Sequence, residues 1–536
     1  MKINRNFSFE TVHWAEEQWF YSFNGGVLTC DTISYMDGKQ SWVVTTSPFS
    51  QRFHAYLFQY FSLPHPVNNI SASICSKTEI VENAWLKIYL LDKDENLVSR
   101  DSVSIISSGE WSRSSLKLLS EDACKMYLEI QAQSKDTIIL DDRIKPKLWV
   151  DDLKIKLNGK NIRLFPGHSQ LSPKELADNL IDNHLTLNID SLEISKINDF
   201  KNHGIIALGE SVHGSMELQL FAFETIRNMI AINNCKLVLL ELPFEIGLHL
   251  DDYVTGETNE DIEKLLTHFN YKTEEIIKLF NWIRAFNKNK QSKVHLAGVD
   301  INHSSLGKNH LIKFLESQRE KAPGMDTIVQ LVKQAQYNKA MMTLKQSKSI
   351  RLSLNQTKYK SILRALMYRN GLLFPTPSLV DGDREFIQFQ NAKFAIDSYL
   401  ADGDKAIIYA HLGHVNKRNS TQCRLFTPSF GNYMDKQYLS DYFVTALLVG
   451  EGTITSTDSL FCKSKLRIQN PEPESIEYLC MKSQDAVFYK NLCGVVSTQS
   501  CRSIGTFPLK NQFFPFNHKG RYDAIVFFKN STSYML

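Results

Sequence analysis

Two residues of complementary chemistry stand three apart in the segment Gly209-Glu210-Ser211-Val212-His213-Gly214. Glu210 brings a carboxylate. His213 brings an imidazole whose ordinary pKa lies near neutrality, so it can take up or release a proton at physiological pH. A nearby carboxylate can fix the tautomer of such an imidazole and prepare it to act as a base. An apolar run, Ile205-Ile206-Ala207-Leu208, precedes the pair, and a stretch with helical periodicity follows it. This order reads as strand, tight loop, helix. In open α/β sheets, ligands bind in the crevice at the carboxyl ends of the strands.

Three further sheet-like runs end in the same manner. Lys236–Leu240 runs into Glu241, Val294–Val299 into Asp300, and Ala406–Ala410 into His411, with His414 three residues on. In a parallel sheet these ends share one edge, so residues far apart in the chain can meet. A single acid after a strand is ordinarily a helix cap. Four strand ends carrying ionisable groups read better as one site. Ser211 occupies the strand–turn–helix context of a nucleophile elbow, although His213 stands where GxSxG has its second glycine; serine catalysis stays open. His213, His411 and His414 with one carboxylate are ligand types that suit zinc, so a divalent metal also stays open. No HExxH, Walker A or GxGxxG motif occurs. His303 reads as a loop histidine and Trp282 as a core residue.

The elements that must position these groups follow from periodicity. A helix is expected over about 215–232, with Met216, Leu220, Phe223, Ile226 and Ile230 on one face, and another helical region over about 259–287. Residues 308–370 are amphipathic and helical without a strand, which predicts a helical insertion able to cover the cleft. Strands 443–449 and 406–410 complete the alternation. Residues 166–536 are thus expected to form an α/β domain with a mainly parallel sheet. Up to about residue 165 the chain reads as all-β. Ser41–Thr46, Ala55–Phe61, Trp85–Leu91, Met126–Ile130 and Trp149–Leu157 are aromatic, β-branched or alternating runs separated by turn signals. Short strands at this spacing predict a sandwich over 1–165. Its strand Trp149-Val150-Asp151-Asp152-Leu153 resembles the closing strand of jelly-roll domains related to carbohydrate-binding modules. That resemblance implies a jelly-roll-like domain contacting a glycan or a protein.

Bulk properties narrow the function classes. A chain of 536 residues is too long for one ordinary core. Its 43% hydrophobic and 22% charged content is that of a globular protein. The net charge of +3, spread along the chain, argues against nucleic acid or an anionic membrane as the main partner. No stretch approaches the roughly 18 apolar residues of a membrane span. Nine cysteines lacking CxxC spacing look like reduced thiols. Met1-Lys2-Ile3-Asn4-Arg5-Asn6 leads into polar sequence without the apolar region of a signal peptide, so a cytoplasmic location is expected.

The segment Gly209-Glu210-Ser211-Val212-His213-Gly214 resembles the Gly-Glu-x-x-His-Gly signature of the erythromycin esterase family. The similarity continues in register through Leu240-Glu241, Trp282-Ile283-Arg284-Ala285-Phe286-Asn287, Gly298-Val299-Asp300, Arg384 with Asn391, and Ala410-His411-Leu412-Gly413-His414-Val415. It closes with Ser429-Phe430-Gly431, Gly450-Glu451-Gly452-Thr453 and Tyr522-Asp523-Ala524-Ile525-Val526-Phe527. It spans roughly 200 to 530. The resemblance implies an α/β core with a helical portion around a deep cleft, and hydrolysis of an ester or lactone, macrolide antibiotics among the candidates, by activated water. It implies His213 as general base, Glu210 and Glu241 as the groups that orient or polarise it, His411 as an assistant at the carbonyl or leaving group, and Arg384 as a stabiliser of charge. His414, Asp300 and Ser211 would support these or contact substrate. No cofactor is implied. Where the family carries Asn after the first histidine of its His-x-Gly-His motif, this chain has Leu412, which implies a different substrate or weaker activity. Two other readings remain: a metal-dependent hydrolase using the same residues, and a glycan- or polymer-binding protein whose esterase cleft is degenerate.

Overall fold

The computed structural model describes residues 9, 20–21, 26–46, 53–63, 67–92, 96–106, 109–120, 123–134, 146–162, 180–182, 184–188, 194–266, 273–301, 305–371, 381–418, 428–457, 463–472, 475–492, 500–505, 512–514, 518 and 520–534. Two compact units are present. One comprises residues 1–172, 499–501 and 509–517, the other residues 173–498, 502–508 and 518–536. The domain boundary expected near residue 165, the helix onset expected at Pro173–Glu175, and the loop histidine His303 all lie outside the described residues.

In the first unit the strands are β1 (Phe20–Tyr21), β2 (Gly26–Asp31), β3 (Ser41–Thr46), β4 (His54–Ser62), β5 (Asn69–Glu79), β6 (Asn83–Leu91), β7 (Leu97–Ser104), β8 (Ser112–Leu119), β9 (Lys125–Gln133), β10 (Lys147–Leu157) and β11 (Lys160–Asn161). They form two sheets, in the orders β1-β4-β9-β6-β7 and β2-β3-β10-β5-β8, with β11 on β10. The recorded pairings are antiparallel. In strands such as β5, β6 and β8 buried residues alternate with less buried ones, as the pleat requires, and the two sheets share one core. Leu86 and Ile88 of β6 and Leu128 of β9 meet Trp42 of β3, Ile74 of β5 and Leu148 of β10 there. The sandwich expected from the strand spacing is present; β2, β5 and β8 were not anticipated.

In the second unit the strands are β12 (Leu185–Thr186), β13 (Ile205–Glu210), β14 (Cys235–Pro243), β15 (His295–Asp300), β16 (Lys405–His411), β17 (Tyr442–Thr457), β18 (Lys463–Arg467), β19 (Val487–Asn491) and β20 (Ala524–Ser531). Their order is β12-β19-β20-β17-β13-β16-β14-β15, with β18 on β17. Strands β20 through β15 pair in parallel. The pairs β12–β19, β19–β20 and β17–β18 are antiparallel. The expected mainly parallel sheet is therefore a mixed one. Antiparallel edges need no crossover helix and leave no α/β alternation for periodicity to detect.

The helices include α1 (Met216–Ile232), α2 (Phe244–Val254), α3 (Glu274–Asn287), α4 (Ser305–Ser317), α5 (Met325–Lys333), α6 (Tyr337–Gln346), α7 (Lys348–Ser353), α8 (Gln356–Arg369), α9 (Asp381–Tyr399), α10 (Leu412–Val415) and α11 (Phe430–Tyr438). In α1 the buried arc runs through Leu218, Phe221, Ala222, Thr225, Ile226 and Met229. Leu220, expected on that face, is instead 38% exposed. At 100° per residue it points away from the arc centred on residues 222 and 225. Helices α4 to α8 make the expected insertion, and no strand occurs there among the described residues. The insertion has its own apolar cluster, including Leu311, Phe314, Ile328, Val332, Leu344 and Ile362. Helix α2 is buried along its whole length. It gives Phe244 and Leu248 to that cluster and Ile246, Leu250 and Val254 to the sheet core. Glu245 between them is ion-paired to Arg369 of α8 at 2.8 Å.

Candidate active site

Strand β13 is buried throughout and ends at Glu210, in register with His411 of β16 on one side and Leu447 of β17 on the other. The chain then turns under tight backbone control. Ser211 N–H donates to Leu447 O at 2.9 Å, Ser211 O accepts from Ile504 N–H at 2.9 Å, and His213 N–H donates to Ile504 O at 3.0 Å. Gly214 follows with φ +87°, and a Cβ there would lie 1.9 Å from Thr455 O. Both the left-handed conformation and the close backbone approach require glycine. Ser215 then caps α1 by accepting from Leu218 N–H.

This bend folds His213 back onto Glu210. His213 Nδ1–H donates to Glu210 Oε1 at 2.6 Å. The Tyr409 hydroxyl of β16 donates to the other carboxylate oxygen, Oε2. Burial alone would lower the His213 pKa, but the Glu210 hydrogen bond and the charges of Glu210 and Glu241 outweigh it and raise the pKa above 6.5. Glu210, His213, Glu241 and Tyr409 line a cleft whose walls are otherwise Gln219, Leu240, Leu242, Ile276, Ala410 and Tyr534.

A second network lies beside the first. Glu241, from the end of β14, accepts from His411 N–H through Oε2 at 2.7 Å. Its Oε1 lies 3.3 Å from His414 Nε2 and 3.5 Å from Arg384 Nη2. Arg384 of α9 also donates from Nε and Nη2 to the two oxygens of Asp300, at 2.9 and 2.8 Å, a bidentate pair. Gln388, one turn further along α9, donates to Asp300 Oδ1 at 2.9 Å. His414 Nδ1–H donates to Glu385 Oε1 at 2.7 Å, and Glu385 Oε2 accepts from Phe430 N–H at 2.7 Å.

Burial would destabilise every one of these charges, so their mutual attraction decides the protonation states. Burial would lower the His414 pKa, yet Glu385 and Glu241 raise it to about 10. Burial would raise Glu241 and Asp300, yet the charges of His414 and Arg384 hold both below the ordinary carboxylate range. His411 goes the opposite way. Burial, reinforced by the charge of His213, pushes its pKa well below 6.5. His411 Nδ1 accepts from Gly413 N–H at 3.0 Å, which leaves Nε2 as the protonated nitrogen of the neutral ring. The His411 and His213 rings pack edge to face, with centroids 4.9 Å apart. The three neighbouring histidines are thus pushed apart: His213 upward, His411 well downward and His414 up to about 10.

The structure brings together Glu210, His213, Glu241, Asp300, Arg384, His411 and His414. Ser211 is excluded from this group. It is fully buried, and among the described residues its Oγ meets no hydrogen-bond partner. Neither imidazole holds that hydroxyl, so the geometry of a serine nucleophile is absent. Leu412 is buried against β13, and a Cβ on Gly209 would lie 2.8 Å from its Cδ1. It is not a lining residue of the cleft among the described residues. Among the described residues no group of three or more His, Cys, Asp or Glu side chains is arranged to hold a metal ion. Trp282 is partly buried against the sheet core and stacks on Phe286 at 5.4 Å. Tyr409, Glu385 and Gln388 belong to the networks and were not anticipated. For Tyr409 a signal existed, because it lies two residues before His411 and so on the same strand face.

Comparison with known proteins places the chain in a family. The family model described as erythromycin esterase matches residues 230–531. That span contains Glu241, Asp300, Arg384, Glu385, His411 and His414; Glu210 and His213 precede it. Erythromycin esterase type II of Escherichia coli is 25% identical over 344 residues, covering 54% of this chain and 81% of that protein. Among solved structures, a Bacillus cereus protein superposes with a TM-score of 0.56 at 18% identity, over 68% of this chain and 99% of that one. A succinoglycan biosynthesis protein superposes with a TM-score of 0.54 at 16% identity, again over 68% and 99%. At such identities the two structures speak for the fold. With the family model covering more than half of the chain, including β14 to β20, the insertion and the His411–His414 network, the chain belongs to the erythromycin esterase family.

Proposed function

We propose that the second unit hydrolyses an ester or lactone, with His213 as the base that activates water. The observation that carries this reading is the 2.6 Å hydrogen bond of His213 Nδ1–H to Glu210 in the wall of a cleft. With Nδ1 committed to a carboxylate, proton exchange with a bound water falls to Nε2. Nε2 removes a proton as the water oxygen attacks the carbonyl carbon. The tetrahedral intermediate then expels the alkoxide, which recovers the proton from the imidazolium and leaves an acid and an alcohol. Tyr409 and Glu210 fix the ring. Arg384, with 36% of its side chain exposed, is the cation available to the developing oxyanion. The neutral His411 ring packs against His213 without adding a competing charge.

Activity on an accepted ester is expected to follow a bell-shaped pH profile. The base works only when unprotonated, so kcat/KM rises as pH passes the His213 pKa, which lies above 6.5. It falls again as His414 loses its proton near pH 10. A profile whose acid limb lies below pH 6.5 would count against His213 as the base.

Mass spectrometry of products from a panel of esters and lactones, macrolides included, tests the reaction class. The expected product carries the mass of one added water. Activity that disappears on chelation and returns with added metal would replace this mechanism with a metal-dependent one. A panel left intact would favour binding over catalysis.

A further inference from the structure

Strand β20 leaves the sheet at the same edge as β13 and continues as a short strap, residues 532–534, across the start of α1. The strap is fastened at several points. Thr532 donates from N–H and Oγ1 to the two carboxylate oxygens of Glu217, each at 2.7 Å. Met216 N–H donates to Thr532 O at 2.9 Å, and Ser531 Oγ donates to Ser215 Oγ at 2.9 Å. Ser533 N–H reaches Thr453 Oγ1 at 3.3 Å, and Thr455 Oγ1 donates to Tyr534 O at 3.4 Å. Glu217 sits in the first turn of α1, where a carboxylate is favoured by the helix dipole. These bonds deliver Tyr534, buried, to the wall of the cleft that contains His213.

That wall has a chemical character of its own. Leu240, Leu242 and Ile276 line it together with Tyr534, while the acids and His213 form the reactive part. An apolar wall beside a carbonyl-handling group selects by the size of the uncharged group flanking the ester. Leu240 and Leu242 belong to β14, a strand inside the sheet, and Ile276 to α3 packed on the core. Tyr534 instead arrives on a strap held by hydrogen bonds.

We propose that Tyr534 is a specificity-determining residue that limits the size of the apolar group the cleft accepts, and that the Glu217 latch holds it in place. The substrate class is an ester or lactone with an uncharged alkyl or aryl group beside the carbonyl. This rests on the hydrolase reading of the same cleft. Each methylene that finds apolar surface gains about fourfold in binding. In the wild type that gain stops at the chain length where Tyr534 blocks further entry.

The experiment uses p-nitrophenyl esters from acetate to decanoate with the wild type, Tyr534→Ala, Tyr534→Phe and Glu217→Gln. In parallel, calorimetric titration of His213→Ala and of the double variant His213→Ala/Tyr534→Ala uses methyl ketones of matching chain lengths. Tyr534→Ala is expected to extend the chain-length optimum and raise the longest-to-shortest ratio of kcat/KM by about tenfold or more, as two further methylenes would give. Tyr534→Phe keeps the ring and is expected to keep the wild-type chain-length profile whatever its turnover. Glu217→Gln, which loosens the strap without touching the wall, is expected to fall between them. An unchanged profile in Tyr534→Ala overturns the proposal. If the wild type cleaves none of the esters, the hydrolase reading fails and the ketones still decide. Affinity that keeps growing with chain length only in the double variant supports the size limit; identical profiles, or no ketone binding at all, overturn it.

Discussion

His213→Ala is expected to lower kcat/KM for an accepted ester by about a thousandfold, within the 10² to 10⁴ typical of a lost general base. The fold should survive. The substitution removes one buried hydrogen-bond partner from Glu210, which retains the Tyr409 hydroxyl. Leaving one carboxylate oxygen unsatisfied costs about 1–3 kcal/mol, enough to shift thermal unfolding by several degrees but not to abolish it. Steady-state kinetics with a calorimetric melting curve on the same preparation checks both halves. Added imidazole is expected to restore part of the lost rate, because the side chain it replaces lined a cleft. Wild-type turnover in this variant would remove His213 from the mechanism.

Glu241→Ala is expected to have the largest combined effect on stability and activity. This carboxylate faces His414 and Arg384 and accepts the His411 backbone N–H. Its loss leaves a buried imidazolium and a guanidinium with one carboxylate each, Glu385 and Asp300. Breaking a buried ionic network at one member costs about 3–5 kcal/mol. The His414 pKa, raised to about 10 by Glu385 and Glu241, moves down, and the alkaline limb of the pH profile moves with it. The sign of the linkage is fixed. A histidine whose folded pKa exceeds its unfolded value stabilises the fold fully below about pH 6.5 and loses that contribution as pH rises through about 10. Glu241 itself is held well below the ordinary carboxylate pKa of 4.5, so its contribution is lost in turn as pH falls below that value. Glu241→Ala should therefore lose most stability, relative to wild type, between about pH 4.5 and neutrality. Urea melts at several pH values measure this, and equal destabilisation at every pH would contradict the ionic account.

The strand edge that carries the candidate site was legible because central parallel strands are buried on both faces and so appear as largely apolar runs. Ile205–Leu208, Lys236–Leu240 and Ala406–Ala410 have that form, and the ionisable residue that ends each run marks the edge. Glu385 left no such mark. It lies one residue after Arg384 within a polar helix, and its partner His414 is 29 residues away. An Arg-Glu dipeptide there has the look of a solvated helix surface. In the first unit, β5 was hidden by its composition. The sequence Asn-Ile-Ser-Ala-Ser-Ile-Cys-Ser-Lys-Thr-Glu has the alternation of a half-buried strand, but small and polar residues dominate it. The antiparallel strands β18 and β19 are only five residues each, too short for periodicity to separate from loop. Leu412 shows the limit of a motif departure as evidence. Its side chain lies on the Gly209 backbone, so it fills space under the sheet edge.

Helix α2 ties two apolar clusters together within the second unit. Phe244 and Leu248 serve the insertion's cluster, whereas Ile246, Leu250 and Val254 serve the sheet core. The helical block thus has an apolar cluster of its own, seated on one shared helix and pinned by the Glu245–Arg369 ion pair. Amide protons of α5 to α8 can therefore exchange together, in an opening that leaves the strands beneath Glu210 and His411 protected. Substitutions in the cluster away from α2, at Ile328, Leu344 or Ile362, are therefore expected to be felt in the block before they reach the strands that end at Glu210 and His411.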